Sequence, residues 1–253
     1  MRIAAIGDVH YGVEEPGSLH AHLEELAREA DLLLIAGDLT RHGDPAEARE
    51  LAADLARLEM PRFAVLGNHD FHSDQSEEIV RLLSEAGVRV LEGEAAVVAV
   101  NGTRLGVAGA KGFGGGFPGG MVTAFGEPET KAFARHGVDA AERLGAALDE
   151  LVRAGIEHRV ALLHYAPIEA TLVGEHEQVW PFLGNYLLAE AVDRLGADLV
   201  LHGHAHRGSP SGSTLRGVPV RNVAQPVINL PYLLFELKLE DEVPVPVARG
   251  GGL

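Results

Sequence analysis

The chain of 253 residues contains no cysteine, which excludes disulfides, iron–sulfur clusters and thiolate zinc sites and suits a reducing compartment. Basic residues are also scarce: 21 Lys and Arg face 37 Asp and Glu, for a formal net charge of −16. Binding to a nucleic-acid backbone needs clustered positive charge, so constitutive nucleic-acid binding is not expected. An acidic chain can still bind a phosphate substrate where metal ions supply positive charge locally.

Long apolar runs are missing as well. None approaches the roughly 20 residues that cross a bilayer, so no membrane association is expected. The chain opens on an apolar segment without the pattern of a signal peptide, and we expect a cytoplasmic protein. Composition shows no linker-like shift, which predicts a single domain over residues 1–240 and a loose tail at 241–253. The sequence does not determine the oligomeric state.

Short apolar segments that end in Asp, Asn or His are the main feature of the chain. They are residues 3–6 before Asp8 and His10, 32–36 before Asp38, 63–66 before Asn68 and His69, 160–163 before His164, and 199–201 before His204 and His206. Apolar runs of this length are typical of buried strands. Because ligands bind at the carboxyl ends of strands in open α/β sheets, these ends predict one shared pocket.

The segments between these strands are typical of helices. Asp44 followed by Pro45 predicts the start of one helix, and Asp139 predicts the start of another. The glycine-rich segment 111–126 is predicted to be irregular, either as a flexible flap or as a plain surface loop.

The Asp, Asn and His residues after these strands offer nitrogen and oxygen atoms as metal ligands, but no sulfur. This set of ligands suits Mn, Fe, Zn or Co more than Mg or Ca. Eight such residues are too many for one catalytic metal ion with open positions. They match two ions that share a bridging carboxylate, an arrangement that supports phosphoryl transfer. Two divalent metal ions are therefore predicted, with manganese favoured.

The order of the motifs carries more information than any one of them. Asp-x-His, Gly-Asp, Gly-Asn-His-Asp, His and Gly-His-x-His follow one another over residues 2–207. This order resembles the calcineurin-like metallophosphoesterase superfamily, and the compact chain looks like its cyclic-nucleotide-phosphodiesterase-like branch. The resemblance implies an α/β fold, a four-layer α-β-β-α sandwich with two mixed β-sheets flanked by helices.

The resemblance also implies a division of the site residues. Asp8, His10 and His206 would bind one metal ion, Asn68, His164 and His204 the other, and Asp38 would bridge them. A bridging hydroxide would attack phosphorus, and His69 would either protonate the leaving oxygen or stabilise the developing charge.

One position departs from the family pattern. Many members carry an Asp three residues after the Gly-Asp aspartate, where it orients the catalytic His, but here the residue is Arg41. Either Asp70 or a backbone carbonyl would then orient His69. Arg41 would either bind a substrate phosphate or be a surface residue without a role. Asp70 and Arg41 therefore join His69 as predicted catalytic residues, and Arg41 and His69 as predicted substrate contacts.

These observations predict a metal-dependent phosphoesterase that acts on a small phosphoester, with phosphodiesters preferred. Two alternatives stay open. The same site could serve a phosphomonoesterase, including one that acts on phosphoproteins, or the fold could be a non-catalytic binding scaffold.

Overall fold

The computed structural model describes residues 1–13, 17–100 and 102–237. The predicted tail at 241–253 and the last stretch of the predicted domain, 238–240, lie outside the described residues. The described strands are β1 (Arg2–Ile6), β2 (Leu32–Ala36), β3 (Arg62–Val65), β4 (Val88–Val90), β5 (Glu94–Val100), β6 (Thr103–Ala110), β7 (His158–Leu163), β8 (Leu199–His202), β9 (Ser211–Ser213), β10 (Pro219–Asn222) and β11 (Leu233–Glu236). The described α-helices are α1 (Gly17–His20), α2 (Leu23–Glu29), α3 (Pro45–Leu55), α4 (Ser76–Glu85), α5 (Pro128–Arg153), α6 (Trp180–Leu183), α7 (Tyr186–Leu195) and α8 (Gln225–Ile228).

Two mixed sheets form the centre of the fold. The first has the strand order β11-β1-β2-β3-β4, in which β1 to β4 are parallel and β11 pairs antiparallel with β1. The second has the order β5-β6-β7-β8-β10-β9, in which the inner strands are parallel and the two outer pairs are antiparallel. Parallel strands end at the same edge of a sheet, so the polar residues that follow them are gathered there.

The alternation of side chains along each strand produces the layers. Ile3 of β1 belongs to an apolar cluster between the two sheets, which also contains Leu162 of β7. Ile6 of β1 lies in a second cluster, where it joins Leu51 of α3 on the helical side of the first sheet. A third cluster joins the outer face of the second sheet to α5 and α7. The predicted four-layer α-β-β-α sandwich is therefore confirmed.

The predicted helix starts had different outcomes. Helix α3 begins as expected, because the Asp44 carboxylate accepts a hydrogen bond from the Ala46 N–H at 2.8 Å and Pro45 occupies the first helical position. The prediction that a helix begins near Asp139 is wrong, since α5 already begins at Pro128. None of the described helices is both long enough and apolar enough to cross a membrane.

The first half of the glycine-rich segment is tied to the protein. The Gly115 N–H donates to the Pro181 carbonyl at 2.7 Å, and the Gly116 N–H donates to the Gly184 carbonyl at 2.9 Å. Gly119, beyond these bonds, is exposed. Residues 115 and 116 therefore form a wall beside residues 181–184.

Candidate metal centre

The loops that follow β1 and β2 run side by side beyond the sheet. The Asp8 N–H donates to the Gly37 carbonyl at 2.9 Å, and the His10 N–H donates to the Asp38 carbonyl at 3.0 Å. Asp8, His10, Asp38 and His204 have φ angles of 57°, 45°, 50° and 69°, a region that residues with a Cβ rarely adopt. Such backbone strain clusters at functional sites, and here it coincides with four of the predicted metal ligands.

Two motif glycines are required by close approach to the carboxylates. A Cβ atom on Gly67 would lie 2.0 Å from Asp38 Oδ1, and one on Gly203 would lie 2.2 Å from Asp8 Oδ2. Any larger residue would displace the carboxylate, so these glycines allow the loops to close around the buried acids.

The first group of candidate ligands contains Asp8, His10, Asp38 and His206. Each residue offers one ligand atom, and these atoms lie within 4.8 Å of one another. His206 Nε2 donates to Asp8 Oδ1 at 2.8 Å, and His10 Nε2 lies 3.8 Å from Asp38 Oδ2.

The second group contains Asp38, His164 and His204, whose ligand atoms also lie within 4.8 Å of one another. Asn68 joins this group, since its Oδ1 lies 3.0 Å from His164 Nε2. Asp38 thus belongs to both groups. The structure brings the seven predicted ligands together, and their individual roles as ligands stay predictions.

Backbone carbonyls orient two of these imidazoles. His164 Nδ1–H donates to the Ala36 carbonyl at 2.9 Å, which leaves Nε2 to face Asn68 and Asp38. His204 Nε2–H donates to the Phe182 carbonyl at 3.2 Å, which leaves Nδ1 as its ligand atom. This is how metal-binding histidines are commonly held, because the bond on one ring nitrogen fixes the other as a lone-pair donor.

The electrostatics of the site fit divalent cations. Burial lowers the pKa of His10 to about 4 and of His204 to about 3, and it holds the pKa of His164 well below its usual range. These imidazoles are therefore neutral, the form that binds metal. Burial, with the nearby Asp38 charge, raises the pKa of Asp8 to about 6. A cation between the two buried carboxylates would relieve this repulsion.

His206 differs from the other imidazoles of the site. Its hydrogen bond to Asp8 raises the pKa of His206, in spite of the opposing effect of its partial burial. Metal binding to the first group would replace this hydrogen bond and release the shared proton.

His69 begins a short 3₁₀-helix, His69–Phe71, directly after Asn68. Its backbone N–H donates to Asp38 Oδ1 at 2.8 Å, and its Nδ1–H donates to the Arg41 carbonyl at 2.7 Å. Its Nε2 lies 3.9 Å from Asp38 Oδ2. Of the two predicted ways to orient His69, the structure contains the backbone carbonyl.

Asp70 does not orient His69, which corrects the other alternative. Its carboxylate is fully buried and accepts hydrogen bonds from the N–H groups of Gly67, Leu39 and Thr40 and from the Thr40 hydroxyl, at 2.8, 3.2, 2.8 and 2.6 Å. Asp70 therefore joins the loop after β3 to the loop after β2. Its position is structural, and burial raises its pKa to about 6.

Arg41 is half-buried, and its carbonyl is the atom that contacts His69. The predicted contact of Arg41 with substrate stays a prediction. Sequence reasoning missed the carbonyls of Ala36 and Phe182, and it did not identify which carbonyl orients His69. Every residue has a carbonyl, so no signal in the sequence marks these three.

Solved structures with a similar fold include three enzymes. Phosphopantetheinyl hydrolase from Mycobacterium tuberculosis matches with a TM-score of 0.60 and 17% sequence identity, over 88% of this chain and 88% of that chain. NAD nucleotidase from Haemophilus influenzae matches with a TM-score of 0.57 and 15% sequence identity, over 98% of this chain and 55% of that chain. A 5′-nucleotidase precursor from Thermus thermophilus matches with a TM-score of 0.54 and 18% sequence identity, over 98% of this chain and 53% of that chain. This chain thus spans about half the length of the two nucleotidases, and at these identities the likeness shows the fold alone.

The family comparison is more specific. A family model for calcineurin-like phosphoesterases matches residues 1–208, most of the chain, whereas no curated protein matches significantly. With the fold and the two groups of carboxylates and imidazoles, this match defines a metal-dependent phosphoester hydrolase of a kind that normally binds two divalent ions. The chain belongs to the calcineurin-like phosphoesterase family, as the order of its motifs predicted.

Proposed function

We propose that the chain is a dinuclear phosphoesterase that hydrolyses phosphodiesters, with His69 as the proton donor to the leaving group. The position of Asp38 supports this proposal most strongly, because its carboxylate belongs to both groups of candidate ligands. Two divalent ions, when bound, would activate water and neutralise charge on the phosphoryl group.

Two sets of side chains and one shared carboxylate would hold these ions. Asp8, His10 and His206 would hold one ion, and Asn68, His164 and His204 would hold the other. Asp38 would bind both. The buried, neutral state of most of these imidazoles makes their lone pairs available without loss of a proton.

His69 has the geometry of a general acid beside this site. Its Nδ1–H is held by the Arg41 carbonyl, so its Nε2 is the atom free to face the substrate. The acid is the imidazolium form: as the oxygen of water bonds to phosphorus and the ester P–O bond breaks, the proton on Nε2 passes to the leaving oxygen, and the attacking water loses a proton to solvent. His69 then remains neutral until it is reprotonated from solvent.

The diester preference rests on the motif order and on the compact chain, as in the sequence analysis. Arg41 is proposed to contact a non-bridging phosphate oxygen. The Arg41→Ala variant is then expected to raise KM with little change in kcat, and an unchanged KM would remove this role.

Hydrolysis of bis(4-nitrophenyl) phosphate beside 4-nitrophenyl phosphate tests the proposal. Chelator-stripped protein receives Mn²⁺ in one arm and no metal in the other, and bound metal is counted in both arms. Metal-dependent turnover that favours the diester is the expected result. A preference for the monoester would replace the proposal with a phosphomonoesterase on the same site.

Two variants serve as matched controls in this assay. Asp38→Asn changes the shared carboxylate and is expected to abolish turnover, whereas Asp74→Asn makes the same chemical change at an exposed position and is expected to leave it intact. If the native chain bound two ions per molecule and hydrolysed neither ester, the binding-scaffold alternative would be favoured.

A further inference from the structure

A cation surrounded by aromatic rings lies next to the candidate metal centre. Lys111 follows β6, and its Nζ lies 4.9 Å from the ring centroid of Phe71, 5.3 Å from that of Phe113 and 5.4 Å from that of Tyr165. The whole chain contains only eight Phe, four Tyr and one Trp. Three of them converge on one ammonium group, and we refer to these four residues as the Lys111 cage.

The main chain connects the Lys111 cage to the metal ligands. The Lys111 carbonyl accepts hydrogen bonds from the N–H groups of His164 and Tyr165, at 3.0 and 3.1 Å. The Tyr165 ring in turn lies 4.5 Å from the His204 ring, centroid to centroid. The ammonium group is therefore one aromatic ring away from the ligands of the second group.

The opposite wall of the cage adjoins the proposed acid. Phe71 ends the 3₁₀-helix that begins at His69. Phe71 is 40% exposed, so this ring of the Lys111 cage lies at the protein surface.

The Glu92 carboxylate attracts the Lys111 ammonium group, and the Asp38 and Asp70 carboxylates do so more weakly. Glu92 also faces Arg143, whose Nη2 lies 3.9 Å from the Glu92 Oε1. Glu92 is therefore shared between two cations.

We propose that the Lys111 cage is a subsite for a second phosphate group of the substrate, distinct from the phosphate that is cleaved. This assignment rests on the proposed function for the position of the scissile phosphate. The Tyr165 ring is near both the Lys111 ammonium group and the His204 ring, so an anion bound at Lys111 would lie beside the metal centre and on another part of the same substrate. A lysine binds phosphate as a compact point charge, and the surrounding rings reduce its hydration and strengthen the attraction. Lys111 is in this sense a specificity-determining residue.

Two chromogenic esters that differ in one phosphate test the assignment. They are the 4-nitrophenyl ester of thymidine 5′-phosphate and the same ester with an added 3′-phosphate. The native Mn²⁺-loaded protein is expected to show a kcat/KM about tenfold or more higher for the doubly phosphorylated ester, the size of one charge-assisted contact. The Lys111→Met variant keeps the apolar stem and is expected to lose this preference.

Conservative and distant substitutions separate charge from structure. Lys111→Arg keeps the charge and is expected to keep part of the preference. Lys131→Met removes a lysine of α5 and is expected to keep all of it. Equal losses on both esters in Lys111→Met would assign Lys111 to the architecture of the site and overturn the proposal.

Equilibrium binding distinguishes this proposal from the proposed function. Calorimetry compares thymidine 3′,5′-bisphosphate with thymidine 5′-phosphate on the native Mn²⁺-loaded protein and on Lys111→Met. A preference for the bisphosphate that disappears in the variant supports the subsite even if neither ester is hydrolysed, in which case only the hydrolytic proposal fails. Equal affinity of the native protein for both nucleotides overturns the subsite.

Discussion

Replacement of Asp70 by asparagine removes one acceptor oxygen from a fully buried junction between two loops. Oδ1 accepts from the Thr40 N–H and hydroxyl, and Oδ2 accepts from the N–H groups of Leu39 and Gly67. An asparagine can keep one oxygen in place, but its NH₂ group then faces two former donors. Because NH₂ donates and does not accept, at least one buried N–H group loses its partner.

The cost follows from the number of donors left without a partner. Each buried, unsatisfied donor costs about 1–3 kcal/mol. If the NH₂ group replaces Oδ1, the Thr40 hydroxyl can turn to accept and only one donor is lost; if it replaces Oδ2, two are lost. The asparagine would adopt the orientation that loses only one donor, so we expect Asp70→Asn to lower the free energy of unfolding by about 1–3 kcal/mol.

Urea unfolding at pH 8 measures this effect, since burial raises the pKa of Asp70 to about 6 and the carboxylate is ionised at pH 8. Asp74→Asn is the matched control because it makes the same chemical change four residues later on the surface. Asp70→Asn is also expected to weaken Mn²⁺ binding, because the loop that carries Asp38 loses its support. A free energy of unfolding equal to that of the control would refute the structural role of Asp70.

Four further predictions concern the site and its surroundings. His69→Gln is expected to lower kcat by about 10²–10⁴-fold with unchanged metal content, and by less for esters with better leaving groups, as steady-state kinetics would show. Asp38→Asn is expected to reduce bound Mn²⁺ to less than one ion per chain by elemental analysis, because both groups of ligands share its carboxylate. Gly67→Ala is expected to lose Mn²⁺, since its Cβ would lie 2.0 Å from Asp38 Oδ1, whereas Gly120→Ala, with nothing within 4 Å of its Cβ, is expected to retain it. His202 is fully buried, and burial lowers its pKa from 6.5 to about 4, so folding favours its neutral form and the metal-free protein loses stability as pH falls through this window. Between pH 6.5 and 4, the free energy of unfolding of His202→Gln should fall by about 3 kcal/mol less than that of the native protein, as denaturation at several pH values would show. An equal decrease in both proteins would contradict this reasoning.

Local patterns in the sequence predicted much of the fold. Asp44 and Pro45 gave a correct helix start because capping depends on neighbouring residues. The start of α5 was missed because Gly137 weakens the helical pattern before Asp139. A Cβ atom on Gly137 would lie 2.7 Å from the Gly114 carbonyl oxygen, so this glycine serves packing between distant segments.

The sequence by itself determined which side chains could form the site. Each predicted ligand follows an apolar strand, and polar residues at the carboxyl ends of strands are typical of ligand sites in α/β proteins. These strands belong to two sheets, and the packing of the sheets brings their ends together. The type of residue and its place after a strand are both local properties. They were sufficient to predict the class of chemistry and the residues that the fold brings together.

Only the tertiary structure decided how these side chains are held. Either Asp70 or a backbone carbonyl was predicted to orient His69. The Asp70 carboxylate joins two loops, and the carbonyl of Arg41 orients His69. The Lys111 cage unites Phe71 and Tyr165, which are far apart in the chain. Backbone acceptors are common to all residues, and contacts between distant segments depend on how the layers pack. Neither leaves a periodic or compositional signal, so both are fixed by packing and become visible only in the folded protein.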